Sequence, residues 1–464
     1  MNLTQEQSAY IDAASNGEDI LLQARAGTGK TSTNIELAKA NRNKTFHFAV
    51  FNKKNEVEML PKLPSNCNGS TWHGFGLSQF KVRLTIDNKK VPNLVKTKYD
   101  PSKEKDYKAK QNLIAKGNAV VDLVSLLKNH SIAPTLNDAN NIIEHFESEC
   151  DDPEFALACL YQSDKSMKID FDDMIRFPLI KGWVKPKFDI FIGDECQDNT
   201  KIRTLFLKEL NRLGVQIGTV GDDMQSIYGW AGADCDAMAN IELAIKARLM
   251  PLTVNFRCGK NIILEAQKLV PDIKAHEDAI DGVVNHLAYV DVSGLVKDGD
   301  CIIARKNRDI VAMCFKMIRG GKNATIQGVD FGKQLQTLIK SFRATSIEQF
   351  RQGLDVWREA KLKKCKGKKN DFVEDQFETL KFFSDSSNTV EEIYTMIDKI
   401  FSDEESQMKL STAHKVKGLE FDRTFVLGSE SFGLRGKSGW QEQQETNCKY
   451  VALTRAKSYM GLVN

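Results

Sequence analysis

The stretch DILLQARAGTGKTSTN, residues 19–34, limits the fold more than any other part of the chain. ILLQ (20–23) is a short apolar run suited to a parallel strand buried on both faces. ARAGTG follows, and Gly27 and Gly29 permit a tight turn and close approach of the backbone to a ligand. From Lys30 onward, KTSTNIELAKA reads as a helix whose first N–H groups and dipole form an anion site. Strand, glycine-rich turn and helix in this order predict a phosphate cradle built from Gly27, Thr28, Gly29, Lys30, Thr31 and Ser32. Lys30 would reach the terminal phosphates of a nucleotide, and the Thr31 hydroxyl would hold magnesium. Ala24 stands where the strict G-x-x-x-x-G-K-[ST] pattern has its first glycine.

Such a cradle needs a carboxylate for the metal and a group to activate water. KFDIFIGDECQDN (187–199) supplies an apolar strand that runs into a cluster of acids. Asp194 would sit at the carboxyl end of that strand, where parallel-sheet sites form. It is the candidate magnesium ligand, and Glu195 the candidate general base. Cys196, inside the same cluster, reads as a small filler.

A length of 464 residues suggests about three domains. With 41% apolar and 27% charged residues, the composition is that of a soluble globular protein. The net charge of +3 carries no sign of nucleic-acid binding, but the basicity is local. Residues 81–118 hold eleven Lys or Arg against four Asp or Glu, and KLKKCKGKK (361–369) is a second cluster. Lys89, Lys90 and Lys96 are candidate phosphate contacts in the first; the plainer reading is a solvated face. The ten cysteines show no CxxC pair or metal-ligand spacing, which fits reduced thiols. The N-terminus is polar and no apolar run approaches membrane-spanning length, so no membrane association is expected. The expected location is the cytoplasm or the nucleus.

With these residues in view, the chain resembles the superfamily 1 DNA helicases of the UvrD/Rep type. The A-x-x-G-T-G-K-T cradle is that family's usual variant, and further motifs follow in order along nearly the whole chain. LTQEQ (3–7) resembles the adenine-reading motif, with Gln7 as its hydrogen-bonding side chain. FAVFNKKNEVEM (48–59) and STWHGFG (70–76) resemble the two segments that contact single-stranded DNA, which implicates Phe51, Asn52, Thr71, Trp72 and His73. IDFDDMI (169–175) matches the segment that precedes the acidic motif in many relatives. VGDDMQSIYGWAGAD (220–234) is similar to the motif joining γ-phosphate to DNA, with Gln225 as sensor and Tyr228 and Trp230 as aromatic platform. LTVNFRC supplies Arg257; STAHKVKGLEFDRTFVLG supplies His414, Gly418 and Glu420; YVALTRAK supplies Arg455. By this resemblance Arg257 and Arg455 are arginine fingers, Glu420 contacts ATP and His414 contacts DNA. The wording of GTGKTST and NFRCGKN is especially close to eukaryotic F-box DNA helicases and phage relatives. Two places depart: Ala231 replaces the arginine usual after the aromatic platform, and Ser32 an arginine that many bacterial relatives carry after GKT.

The fold class implied is α/β: two RecA-like P-loop NTPase domains with parallel sheets, each carrying a mainly helical insertion. The first domain is expected over 1–80 and 166–250, with a basic helical insertion at 81–165. The second is expected over 251–331 and 405–464, with a short accessory insertion at 332–404. The chain ends just after the last motif, so no fused nuclease or interaction tail is expected. The implied function is an ATP-dependent DNA helicase moving 3′→5′ on single strands, with ATP and Mg2+ bound between the two domains. Its substrates would be single-stranded and tailed duplex DNA, its partners replication or recombination proteins, and its solution state a monomer. Two alternatives are a translocase that displaces bound proteins with little unwinding, and a binding switch that ATP times.

Overall fold

A computed structural model describes residues 3–229, 232–364, 371–401, 408–430, 432 and 439–464. The chain divides into two compact units, Met1–Thr253 and Val254–Asn464.

The first unit is built on six strands: β1 Ile20–Ala24, β2 Phe46–Val50, β3 Cys67–Thr71, β4 Ile190–Gly193, β5 Gln216–Gly221 and β6 Arg248–Leu252. They lie in the order β3-β2-β4-β5-β1-β6, every pair parallel. The apolar runs of β1 and β4 are buried along their length because helices cover both faces. Side chains alternate as the pleat requires. Ile20, Leu22, Ile190 and Ile192 pack on one face with Tyr10 and Ile11 of α1 (Gln5–Ser15) and Leu37 of α2 (Lys30–Ala40). Leu21, Phe191 and Ile217 pack on the other with Trp72, Phe75, Phe206 and Leu210.

Between β3 and β4 the chain makes a helical excursion with its own core. Val91, Val95, Leu123, Leu127, Ala139, Leu157 and Leu160 meet there, two of them from the long helix α3 (Tyr107–His130). The base of this excursion is held by charge. Lys90 and Lys128 both pair with Asp173, and Lys128 Nζ lies 2.6 Å from Asp170 Oδ2, at the start of α4 (Phe171–Ile180). All but Asp170 are buried.

The second unit has strands β7 Val283–Leu287, β8 Cys301–Ala304, β9 Ala324–Ile326, β10 Met408–Thr412, β11 Phe421–Leu427 and β12 Ala456–Val463. Their order is β7-β12-β11-β8-β10-β9, again all parallel. Strands thus stand where CIIARK and RTFVLG predict them. Four helices, Val329–Phe342, Ile347–Lys364, Asp371–Asp385 and Val390–Ile400, separate β9 from β10, and their apolar faces join the core of this sheet. Two parallel sheets in two units, each interrupted by helices, make an α/β fold as the sequence implied. Among the described residues, no helix is long and apolar enough to cross a membrane.

Candidate functional site

In the first unit the candidate residues gather at the carboxyl ends of β1, β4 and β5, which are neighbours in the sheet. Gly27 and Gly29 both have positive φ (68° and 77°), and Gly29 is the N-cap of α2, so the turn turns its backbone toward the helix start. Lys30 and Thr31 open α2, with Ser32 exposed beside them. Thr28 is buried and its hydroxyl donates to the Arg25 carbonyl at 2.8 Å. Gln7 is 1% exposed, and its amide braces this loop: Nε2 donates to the Thr28 carbonyl (3.3 Å) and to Thr33 Oγ1 (3.0 Å). Its Oε1 accepts from the Thr4 N–H as half of a capping box. Gln7 thus fixes the cradle from behind through bonds already made within the unit.

Asp194 and Glu195 follow β4 directly. The Asp194 N–H donates to the Ala49 carbonyl of the adjacent strand, and Asp194 Oδ1 accepts the Glu195 N–H at 2.9 Å. Glu195 has φ 52° and ψ 42°, a left-handed backbone that a non-glycine residue rarely adopts and that strained functional sites retain. Its Oε2 accepts from Gln197 Nε2. The Gln197 Oε1 accepts the Asp222 N–H (3.0 Å), and Asp222 Oδ2 accepts from Gln225 Nε2 (2.8 Å). A continuous hydrogen-bonded run therefore leads from Glu195 to Gln225. Arg25 ties the cradle into it, with one guanidinium nitrogen 3.1 Å from Asp222 and 2.5 Å from Asp223. Burial pushes the Asp222 carboxyl up, while the positive charges of Lys30 and Arg25 pull the other way. Burial also pushes the Cys196 thiol up, which fits a filler. Thr31 and Asp194 offer a hydroxyl and a carboxylate, the hard oxygen donors that magnesium takes.

Arg25, Gln197 and Asp222 are not among the residues that the sequence singles out. The doubled acid in GDDMQ and the glutamine in DECQD were the available signals.

In the second unit Arg257, Glu420 and Arg455 converge. Arg257 Nε donates to Glu420 Oε2 (2.8 Å) and its NH1 to the Thr454 carbonyl (3.2 Å). Burial raises the Glu420 pKa, but Lys457 at 2.7 Å and Arg257 outweigh it and hold the carboxyl below its usual range. Arg455 is buried, and its guanidinium donates to the carbonyls of Val451 and Leu419 and to Thr454 Oγ1. Gly418 precedes this corner with φ 82°. His414 is half-buried, with Nε2 3.6 Å from Cys448 Sγ.

The candidate strand-contacting residues of the first unit separate into two groups. Phe51 and Tyr228 are half-buried and their rings stack, centroids 5.8 Å apart and planes 11° from parallel. Asn52 is exposed and caps the helix Lys53–Met59, as Thr71 caps Trp72–Ser78. His73 lies edge-on to the exposed Phe171, and burial and Arg203 lower its pKa against the pull of Asp172. Trp72 differs. It is 1% exposed, packed on Phe191 and Phe206, so its ring belongs to the core and only its neighbours reach the surface. Lys90 likewise is no surface cation: its pairing with Asp173 removes it from the candidate phosphate contacts. Lys89 and Lys96 are exposed. Trp230 and Ala231 lie outside the described residues.

Residues 3–246 match the family model described as UvrD/REP helicase N-terminal domain, and residues 306–463 that of the UvrD-like helicase C-terminal domain. The F-box DNA helicase protein 1 of Schizosaccharomyces pombe is 26% identical over 524 residues, covering 98% of this chain and 56% of that protein. A probable DNA helicase II homolog of Mycoplasma pneumoniae is 24% identical, covering 89% of this chain and 75% of its own. DNA helicase II of Haemophilus influenzae is 31% identical over a shorter stretch, 28% of this chain and 19% of the relative. The chain thus spans little more than half the length of the yeast relative.

Proposed function

Because the chain belongs to the UvrD/REP helicase family, we propose that it hydrolyses ATP to move 3′→5′ along single-stranded DNA and to unwind duplex. Lys30 and the cradle N–H groups neutralise and orient the phosphates. Glu195 takes the proton of the attacking water, and Gln225 senses the γ-phosphate. Arg257, oriented by Glu420, and Arg455 stabilise charge that grows on the transferring phosphoryl. Magnesium, held by Thr31 and Asp194, would offset phosphate charge. Bases stack on the ring pair of Phe51 and Tyr228, a contact available to every base and so independent of sequence.

The observation that carries this reading is the hydrogen-bonded run from Glu195 to Gln225, which ends three residues before Tyr228. One short segment therefore touches both the proposed hydrolytic residues and the proposed stacking platform. The test is steady-state ATPase with and without oligonucleotide, together with strand displacement on 3′-tailed, 5′-tailed and RNA substrates. DNA-stimulated turnover with displacement from the 3′ tail is expected. Turnover indifferent to DNA would sink the reading, and stimulated ATPase without displacement would replace unwinding by translocation.

A further inference from the structure

Arg203 lies on α5 (Lys201–Arg212), the helix that directly follows the acidic segment. It is 8% exposed. Among the described residues its guanidinium makes no hydrogen bond and no ion pair, and Nε is a buried atom without a partner. Its close neighbours are two rings: Cζ lies 5.9 Å from the Phe51 centroid and 5.8 Å from that of Trp72. Burial draws its pKa down to about 10, with the carboxylates of Asp198 and Asp172 opposing at longer range. A buried cation without a paired carboxylate is expensive, and an apolar side chain of the same volume would serve the core better. Packing alone gives no reason for an arginine here.

The rings give one. Trp72 is core, and Phe51 is the half-buried ring that stacks on Tyr228. A cation over an aromatic face is held by the ring's quadrupole and draws electron density toward itself. Such a ring is fixed in orientation. We propose that Arg203 is a positioning residue for single-strand binding, holding the Phe51 ring in place within the platform that it forms with Tyr228. The inference rests on the DNA-binding reading above and adds a residue that none of the sequence motifs contains.

The test measures thermal midpoint and affinity for fluorescein-labelled oligo-dT on the parental chain and on Arg203→Met, Arg203→Lys and Arg203→Gln. Arg203→Met keeps the volume without the charge. It should melt at or above the parental temperature yet bind about tenfold more weakly, the size of one desolvated cation–π contact. Arg203→Lys, which keeps the charge without the planar fork, should recover part of that loss. Parental affinity in a folded Arg203→Met would reduce Arg203 to a filler and overturn the inference. Should Arg203→Met not fold, the Lys and Gln variants decide: several-fold tighter binding by Lys supports the inference, and equal binding overturns it. A parental chain that does not bind oligo-dT fails the DNA-binding reading itself and takes this inference with it.

Discussion

The side-chain oxygen of Gln197 accepts the backbone N–H of Asp222 at 3.0 Å, while the same amide's nitrogen donates to Glu195. The amide can serve both because Gly221 has no side chain: a Cβ there would stand 2.7 Å from Gln197 Oε1 and from Cys196 Sγ. Gln197 therefore sets where the Glu195 carboxylate points and ties it to the segment bearing Gln225. Gln197→Ala should leave nucleotide binding near parental and lower kcat by about 10²-fold, the scale of a misplaced catalytic group. Single-turnover and steady-state ATPase on one preparation check it; unchanged kcat would show that Glu195 is positioned by other means.

Lys30→Ala and Glu195→Gln should both stop turnover, for different reasons. Lys30→Ala removes charge-assisted phosphate contacts and should weaken ATP binding. Glu195→Gln keeps the cradle and should still bind ATP, with turnover down by about 10²–10⁴. Near-parental ATPase in Glu195→Gln would remove it as the base.

Arg257 is held by Glu420 at 2.8 Å and by the Thr454 carbonyl, a fork that lysine cannot reproduce. Arg257→Lys should lower DNA-stimulated kcat by about 10³-fold or more, with a smaller change in ATP affinity. Glu420→Gln keeps an acceptor and should fall between that variant and the parental chain. The reverse ranking would mean that Glu420, not the guanidinium, carries the effect.

The cradle was legible because it is local: strand, glycines and lysine occupy eleven consecutive positions, and their spacing alone implies a phosphate turn. Resemblance alone singles out Phe51 and Tyr228, and it does not foretell their stacking, since 177 positions separate two rings that the strand order brings into contact. Gln197 and Arg25 stayed hidden for the same reason. Each matters because β5 lies between β4 and β1, which places Asp222 beside both, and no local pattern encodes that order. Lys90 looks like a surface cation in the sequence because a charge count along a run says nothing about an aspartate 83 positions later that pairs with it.

The cluster of Lys90, Lys128, Asp170 and Asp173 makes the helical excursion sensitive to a single carboxylate. Asp173→Ala leaves the buried Lys90 without a carboxylate and Lys128 with Asp170 alone, and should cost about 3–5 kcal/mol in stability. Burial alone would raise the Asp173 pKa, but Lys128 and Lys90 hold it below the usual range. Its contribution is therefore present above the unfolded value of about 4 and lost as pH falls through the lower folded value. Asp170, pushed up to about 6 by burial against the pull of Lys128, has the opposite sign: its ionisation burdens the fold above that pH. Denaturant titrations from neutral pH into acid should show the gap between parental chain and Asp173→Ala closing below about pH 4. For the exposed pair, neutralising Lys89 and Lys96 should flatten the log-affinity versus log-salt slope for single strands by about 0.7 per contact. Lys90→Ala should lower stability and leave that slope alone.

Phe51 and Trp72 provide the sharpest contrast, because two aromatic residues of neighbouring motifs are placed so differently. Trp72 lies 5.3 Å from Phe191 in the core, and Trp72→Ala should cost about 3–5 kcal/mol of stability. Phe51 is half-buried against Tyr228, so Phe51→Ala should cost far less stability and about 1–3 kcal/mol of single-strand affinity. Tyr228→Ala should lose a similar amount. The double variant should lose less than the sum, since one base cannot stack on a platform whose other ring is already gone. Thermal midpoints and oligo-dT titrations on all four variants separate packing from stacking. A Phe51→Ala protein as destabilised as Trp72→Ala that still binds with parental affinity would return this ring to the core and leave the proposed strand site without its platform.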